Sequence, residues 1–441
     1  MFGKHFSERN EILFWRFNQI DLLGGYNMQN TTLRRDADII IKESIEKVLP
    51  DYAVQSVLRG KDFGTGKVIL IAVGKAAWQM ARAAADLLGD RITKGLVVTK
   101  YDHVKGEIPG LEMIEAGHPV FDENSVLGAK AALELVRDLT EEDTVLFLLS
   151  GGGSALFELP LIPQEELSDI TGHLLKSGAD IVEINTIRKR LSGVKGGKFA
   201  LSCAPARICN IILSDIVGDP LDMIASGPTC PDQSTSEQAL AIMEKYRIPM
   251  SESARACLEQ ETPRELTNVE THVTGSVRYL CRAAAESCRA LGYEPTILTT
   301  SLGCIAREAG GFLAAIAREK QESERSLAFI AGGETVVQVT GKGLGGRNQE
   351  LALAAAAGIS GLDRTAVFSV GSDGTDGPTD AAGGYADGDT EAVLKDCGIK
   401  IEEVLRDNDA YHALKASGGL VVTGATGTNV NDVAVLLIKR G

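Results

Sequence analysis

Short apolar runs, each ended by glycine, serine or a charged side chain and followed by a helical stretch, recur along this chain. "KVILIAVG" (67–74) precedes the alanine-rich "KAAWQMARAAADLLG" (75–89); "GLVVTK" (95–100), "LEMIEAG" (111–117) and "TVLFLLS" (144–150) read as further strands. Helical patterns fill about 123–138 and 163–191, and "RICNIILSD" (207–215) holds another strand. Strands buried on both faces need no polar alternation, so such runs predict a parallel sheet covered by helices. The second half repeats the theme, with strands at 295–300, 326–333, 335–341, 365–372 and 432–440 and helices at about 276–291, 305–323 and 346–358.

The expected fold is α/β, two α/β/α domains with an interdomain cleft, the first Rossmann-like with a mostly parallel sheet. The polar stretch 231–268 separates the halves, giving an N-terminal domain over 28–240 and a C-terminal domain over 241–441. Residues 1–27 lack the pattern of a secretory signal and read as an N-terminal extension, with Met28 as the natural start. A length of 441 residues suits two or three domains. The formal charge of -15 argues against nucleic acid or anionic membrane as the main partner. Eight cysteines without a C-x-x-C pair fit reduced thiols in the cytoplasm.

Candidate chemistry sits at the strand ends. "FLLSGGGSALFELP" (147–160) runs a strand into Ser150, Gly151, Gly152, Gly153 and Ser154. Glycines beyond the carboxyl end of a strand let backbone N–H groups close on an anion, although a tight turn without ligand has the same spelling. Neither stock nucleotide motif, G-x-x-x-x-G-K-[ST] or G-x-G-x-x-G, occurs. "AVGKAA" (72–77) sets Lys75 at a helix start, where a cation opposes the helix dipole. "SGVKGGKFA" (192–200) places Lys195 and Lys198 around Gly196 and Gly197. "LSDIVGDPLDMIASGPT" (213–229) carries Asp215, Asp219 and Asp222, a density that points to cation or hydroxyl handling rather than a lone N-cap.

In the second half Glu334 occupies a turn, and Arg347, Asn348 and Glu350 open a helix. Arg347 there is misplaced for the helix dipole and well placed for a bound anion. "GSDGTDGPTDAAGG" (371–384) packs Asp373, Asp376 and Asp380 into either a magnesium or substrate loop or a solvated acidic one. "TGATGTNVNDV" (423–433) adds Thr426, Thr428, Asn429, Asn431 and Asp432, small polar groups suited to a hydroxylated ligand. None of the six histidines has metal-ligand spacing, and His118 in "AGHPVFDE" reads as a loop residue. Phosphate loops, acids for a metal and polar groups for a small substrate are the parts that phosphoryl transfer needs.

In order along the chain, AVGKAAWQMA, LSGGGSAL, EINTIRKRLSGVKGGKFA, SDIVGDPLDMIASGPT, GGETVVQVTGKGLGGRNQELALA, GSDGTDGPTDAAGG and TGTNVNDV resemble the glycerate 2-kinase family. That family has two domains, the C-terminal one containing the MOFRL region, here about 326–438. The resemblance runs from about residue 36 to 438. It implies transfer of the γ-phosphate of ATP to O2 of D-glycerate, with ATP and Mg²⁺ as cofactors and 2-phospho-D-glycerate and ADP as products. It also implies that Lys75 and Arg347 meet across the cleft. Phosphates would be held by Ser150, Gly151, Gly152, Gly153, Ser154, Lys195, Gly196 and Gly197, and glycerate by Glu334, Asn348 and Asn429. One of Asp215, Asp219 or Asp373 would hold Mg²⁺ or take the hydroxyl proton, with Asp215 placed among the catalytic groups and Asp219 and Asp373 as metal ligands. The alternatives are a hydroxypyruvate reductase using NAD(P)H and a non-catalytic sugar-acid-binding protein. The expected partner is a small molecule, neither nucleic acid nor membrane, with a homodimer left open and the cytoplasm as location.

Overall fold

The computed structural model describes residues 28–440; the extension read over residues 1–27 lies outside them. The chain begins with α1 (Met28–Glu46), α2 (Pro50–Leu58), β1 (Val68–Val73), α3 (Ala77–Leu88), β2 (Lys94–Lys100), β3 (Leu111–Ala116), α4 (Glu123–Leu135) and β4 (Thr144–Leu149). Next come α5 (Gly153–Leu156), α6 (Gln164–Lys176), α7 (Ile181–Leu191), α8 (Lys198–Cys203), β5 (Arg207–Leu213), α9 (Ser236–Lys245), α10 (Glu252–Glu259) and β6 (Val269–Gly275). The remainder is α11 (Val277–Ala290), β7 (Glu294–Leu302), α12 (Ala306–Glu319), β8 (Leu327–Gly333), α13 (Arg347–Ile359), β9 (Thr365–Gly371) and β10 (Gly383–Asp387). After these follow α14 (Thr390–Asp396), α15 (Ile401–Asp407), α16 (Ala410–Ala416), β11 (Leu420–Val421) and β12 (Asp432–Ile438). Residues 50–274 form one compact unit; among the described residues, 28–49 and 275–440 form the other.

In the unit of residues 50–274 the sheet order is β3-β2-β1-β4-β5-β6, and every pairing among β1 to β5 is parallel. Alternate residues of β1 enter opposite cores. Ile69, Ile71 and Val73 meet Phe147, Phe157 and Phe199, while Leu70 and Ala72 meet Met80 and Ala84 of α3. Burial on both faces is why β1 reads as an unbroken apolar run. The strand order reverses between β1 and β4, so the loops after these two strands part company and leave a crevice at the carboxyl edge.

The stretch 231–268 is no boundary, which corrects the division expected at residue 240. Met243 of α9 and Ala254 and Leu258 of α10 pack with Ile187 of α7, and β6 extends the sheet beyond β5. These apolar stripes need the first core, so the first unit runs on to residue 274.

The second unit has the sheet order β11-β10-β9-β12-β8-β7, with β12 antiparallel to both β8 and β9 and β7 parallel to β8. Leu33, Ala37, Ile40 and Ile41 of α1 recur at helical spacing and pack with Leu280 and Ala284 of α11 on one face of this sheet. Leu313 of α12 and Leu351 and Ala355 of α13 cover the other face against Val367 and Leu436. The strand expected at 335–341 does not form beyond one bridge from Ile305 to Val336. Its Thr340 and Gly341 N–H groups donate instead to Asn408 Oδ1 at 2.8 and 2.9 Å, and Val336 and Val339 are exposed. Among the described residues, no helix is long and apolar enough to cross a membrane.

Candidate active site

In the first unit, loops from successive strands converge on the β1–β4 crevice. Gly74 follows β1 at φ +123, and a Cβ there would collide with Ser150, so only glycine allows the two loops to approach. The loops are then stitched together: Lys75 N donates to Gly151 O at 2.9 Å, and Ala76 N donates to Ser150 Oγ at 3.0 Å. Ser150 N is spent on Val73 O at 2.9 Å, but the N–H groups of Gly151, Gly152 and Gly153 donate to nothing among the described residues. Lys75 Nζ likewise forms no hydrogen bond or ion pair among them. A half-buried ammonium thus faces a loop of unspent amide donors, a combination suited to phosphate oxygens.

Asp215, just past β5, stands against Gly151, where a Cβ would collide with its carboxylate. Asp219 follows at φ 55, its Oδ1 buried without a hydrogen-bond partner. Gly151 lies outside the left-handed region, so Gly151→Ala is a purely steric probe of this contact. Turnover is expected to fall about 100-fold, as when an oriented anion donor is lost, with the far-ultraviolet dichroism unchanged; ADP release measures it.

Three of the sequence-based phosphate ligands are corrected. Lys195 is 0 % exposed, and its ammonium donates to Glu158 Oε2 at 2.8 Å and Phe157 O at 2.7 Å. Burial pulls its pKa down to about 8 even with Glu158 alongside. Gly196 N and Gly197 N are spent on Ser226 O and Gly227 O at 3.0 and 2.8 Å, so neither can cradle a phosphate. These residues instead brace the crevice from behind. The Ala225–Gly227 turn that they hold lies against Gly153, and Ser226 Oγ sits 3.2 Å from Ser154 Oγ. Lys198 serves a similar purpose, donating to the carbonyls of Lys189, Arg190 and Ser192 that end α7.

His118, set aside in the sequence as a loop residue, lies in the crevice. A Cβ on Gly152 would stand 3.0 Å from His118 Cδ2 and 3.1 Å from Lys75 Cγ. The available signal was its position directly after a strand, like that of Lys75.

The second unit gathers a different set. Arg347, the first residue of α13, makes a two-pronged contact with Asp432 (Nε to Oδ2 2.6 Å, Nη2 to Oδ1 3.1 Å) and donates from Nη1 to Glu334 Oε1 at 2.8 Å. Burial works against its charge, but the Asp432 and Glu334 carboxylates outweigh that and raise its pKa. Burial also pushes the Asp432 carboxyl up to about 6, which the guanidinium only partly offsets. The helix start itself is satisfied by Asp376, whose carboxylate accepts from Asn348 N and Gln349 N at 3.1 and 2.9 Å.

Asn348 is corrected as a substrate ligand: it is 1 % exposed, with Oδ1 accepting from Ser369 Oγ at 2.6 Å and Nδ2 turned to Asp376. Asn429 is exposed and accepts from Asn431 N at 3.3 Å. Asp373 closes a turn by accepting from Thr375 N at 2.9 Å. Glu334, Arg347, Asp373 and Val339 border an open groove of about 750 Å³, in which the buried Thr335 Oγ1 has no hydrogen-bond partner. Among the described residues, no group of three or more His, Cys, Asp or Glu could hold a metal ion unaided.

Residues 36–259 match the family described as DUF4147, a domain of unknown function, and residues 327–432 match the MOFRL family. A D-glycerate 2-kinase of Thermotoga maritima is 54% identical, the match covering 92% of this chain and 99% of that protein. A glycerate 2-kinase of Pyrococcus horikoshii is 45% identical over 87% of this chain and 91% of its own length. A crystal structure of a Thermotoga maritima glycerate kinase superposes with a TM-score of 0.89 at 53% identity, covering 93% of this chain and all of that one.

Proposed function

Because the chain belongs to the glycerate 2-kinase family with a C-terminal MOFRL domain, we propose that it moves the γ-phosphate of ATP to O2 of D-glycerate in the cytoplasm. The observation that carries this reading is the β1–β4 crevice, with the unpaired Lys75 ammonium opposite three unspent glycine N–H groups. Such donors stabilise the charge that spreads over the transferring phosphoryl oxygens. Gly151, Gly152 and Gly153, flanked by Ser150 and Ser154, hold phosphate oxygens, and Lys75 neutralises them. In the second unit, Asp432 and Glu334 fix the Arg347 fork for a carboxylate or phosphate.

Asp219 offers a buried carboxylate oxygen that has no hydrogen-bond partner among the described residues, and Asp215 stands beside the loop. That donor set fits Mg²⁺ held by one or two carboxylates and completed by nucleotide phosphates, the usual arrangement for this ion. When bound, it neutralises phosphate charge.

Incubation with D-glycerate, ATP and Mg²⁺, followed by phosphorus NMR, tests the reaction. A 2-phosphoglycerate signal growing in step with ADP supports it; a 3-phosphoglycerate signal overturns the position, and unconsumed ATP overturns the kinase. Arg347→Ala is expected to lower turnover at least ~100-fold, and Arg347→Lys not to restore it, because lysine cannot make the two-pronged contact. Steady-state kinetics with saturating ATP would show near-normal turnover if Arg347 only braced Asp432.

A further inference from the structure

We propose that His118 takes the proton from the glycerate hydroxyl as that oxygen is phosphorylated. This rests on the kinase reading above and adds a group to its chemistry. His118 belongs to the loop after β3, which is the edge strand, two places from β1. Its ring nevertheless reaches the crevice, against Gly152 and the stem of Lys75.

The loop that carries it is built to hold that position. Asp122 caps α4, accepting from Ser125 N at 3.0 Å, and also accepts from Tyr101 OH at 2.6 Å. Asn124 Nδ2 donates to Glu115 O at 2.9 Å. A Cβ on Gly117 would come within 2.6 Å of Val120 O, so the loop turns back on itself too closely for a side chain there. Yet among the described residues nothing hydrogen-bonds the His118 ring. His103, by contrast, is occupied, its Nδ1 lying 3.0 Å from Lys75 O. A ring positioned this firmly with both nitrogens unspent is available to a ligand.

The charged groups facing it are all cations or potential cations: Lys75, Lys100 and His103. The carboxylate of its own loop, Asp122, is consumed by the α4 cap and Tyr101. Burial first, then those cations, hold the imidazole below its ordinary 6.5, so at neutral pH it is uncharged and able to accept a proton. An uncharged imidazole is a suitable proton acceptor for a reaction run near pH 7. The hydroxyl O–H bond breaks and its proton goes to a ring nitrogen. The oxygen's electron pair forms the new bond to the γ-phosphorus, and the bond from that phosphorus to the β,γ-bridging oxygen breaks, its pair leaving with ADP. The imidazolium then gives its proton to water.

The test compares wild type with His118→Ala and His118→Gln at saturating Mg-ATP across pH 5–9. Both variants are expected to lose about 100-fold in kcat, with KM for glycerate and ATP within about threefold. The wild-type acid limb, with an apparent pKa below that of free histidine, should vanish in both, whereas a limb due to the substrates would persist. Glutamine keeps a hydrogen-bonding side chain of similar reach and carries the test if alanine fails to fold. Recovery of turnover in His118→Gln, persistence of the limb, or kcat within threefold of wild type would each overturn the assignment alone. Absence of glycerate-dependent ADP from the wild type would instead overturn the kinase reading and this assignment with it.

Discussion

Replacing Lys75 with alanine is expected to lower glycerate-dependent ADP formation at least ~100-fold and to leave the melting temperature nearly unchanged. Both halves of that expectation come from the same fact. The Lys75 ammonium has no partner among the described residues, so the fold loses no ion pair when it is removed. A phosphoryl group in the crevice loses the ammonium whose stem stands beside Gly152. Lys75→Arg is not expected to rescue, because the stem lies directly on Gly152 and the broad guanidinium needs more room than a compact ammonium. Coupled ADP assays at saturating substrates measure the effect; turnover within tenfold of wild type would remove Lys75 from the chemistry.

Glu158→Ala is expected to destabilise the first unit by about 3–5 kcal/mol, because it strands the charge of the fully buried Lys195. In a unit of this size that corresponds to a fall in Tm on the order of 10 °C. Lys195 is fully buried, and Phe157 O alone would remain to accept from it. The damage should shrink as pH rises. The folded-state pKa, about 8 with Glu158 present, falls further without it and lies below the value near 10.5 of an unfolded lysine. Between those two values the unfolded chain binds more protons than the folded one, so stability climbs with pH. Thermal melts at pH 7 and pH 10 check this, and Glu158→Ala combined with Lys195→Met should recover most of the loss. Equal losses at both pH values would mean that the stranded charge is not the cause.

The strands β1, β4, β5, β9 and β12 were legible because burial on both faces spells an unbroken apolar run. β6 was not, since Glu270, Thr271 and His272 interrupt it. β10 was hidden by its two glycines and β11 by its length of two residues. The valine-rich stretch 335–341 looks like a strand because β-branched residues are common both in strands and along an exposed groove.

At the site, Lys75 and the glycines after β4 were legible from their place directly beyond strand ends. Lys195 between glycines has the same look, but whether a glycine N–H is unspent depends on which carbonyl lies opposite. Here those carbonyls belong to Ser226 and Gly227, distant in sequence. Asn348 was misread because a polar residue opening a helix can turn inward as readily as outward, and Asp376 and Ser369 turn it inward. His118 was passed over because reaching the crevice from the edge strand depends on the path of one loop.

The membership of α1 in the second unit sets an order of events on the ribosome. Residues 50–274 are contiguous and can fold as they emerge, but α1 is made first and its partner α11 begins only at Val277, about 230 residues later. At ~5–20 residues per second the wait is on the order of 10 to 45 s. Throughout it Leu33, Ile40 and Ile41 have no sheet to cover. The nascent chain therefore carries a sticky leading helix while its neighbour matures, which makes that interval the point at which a trigger-type chaperone would matter most for yield.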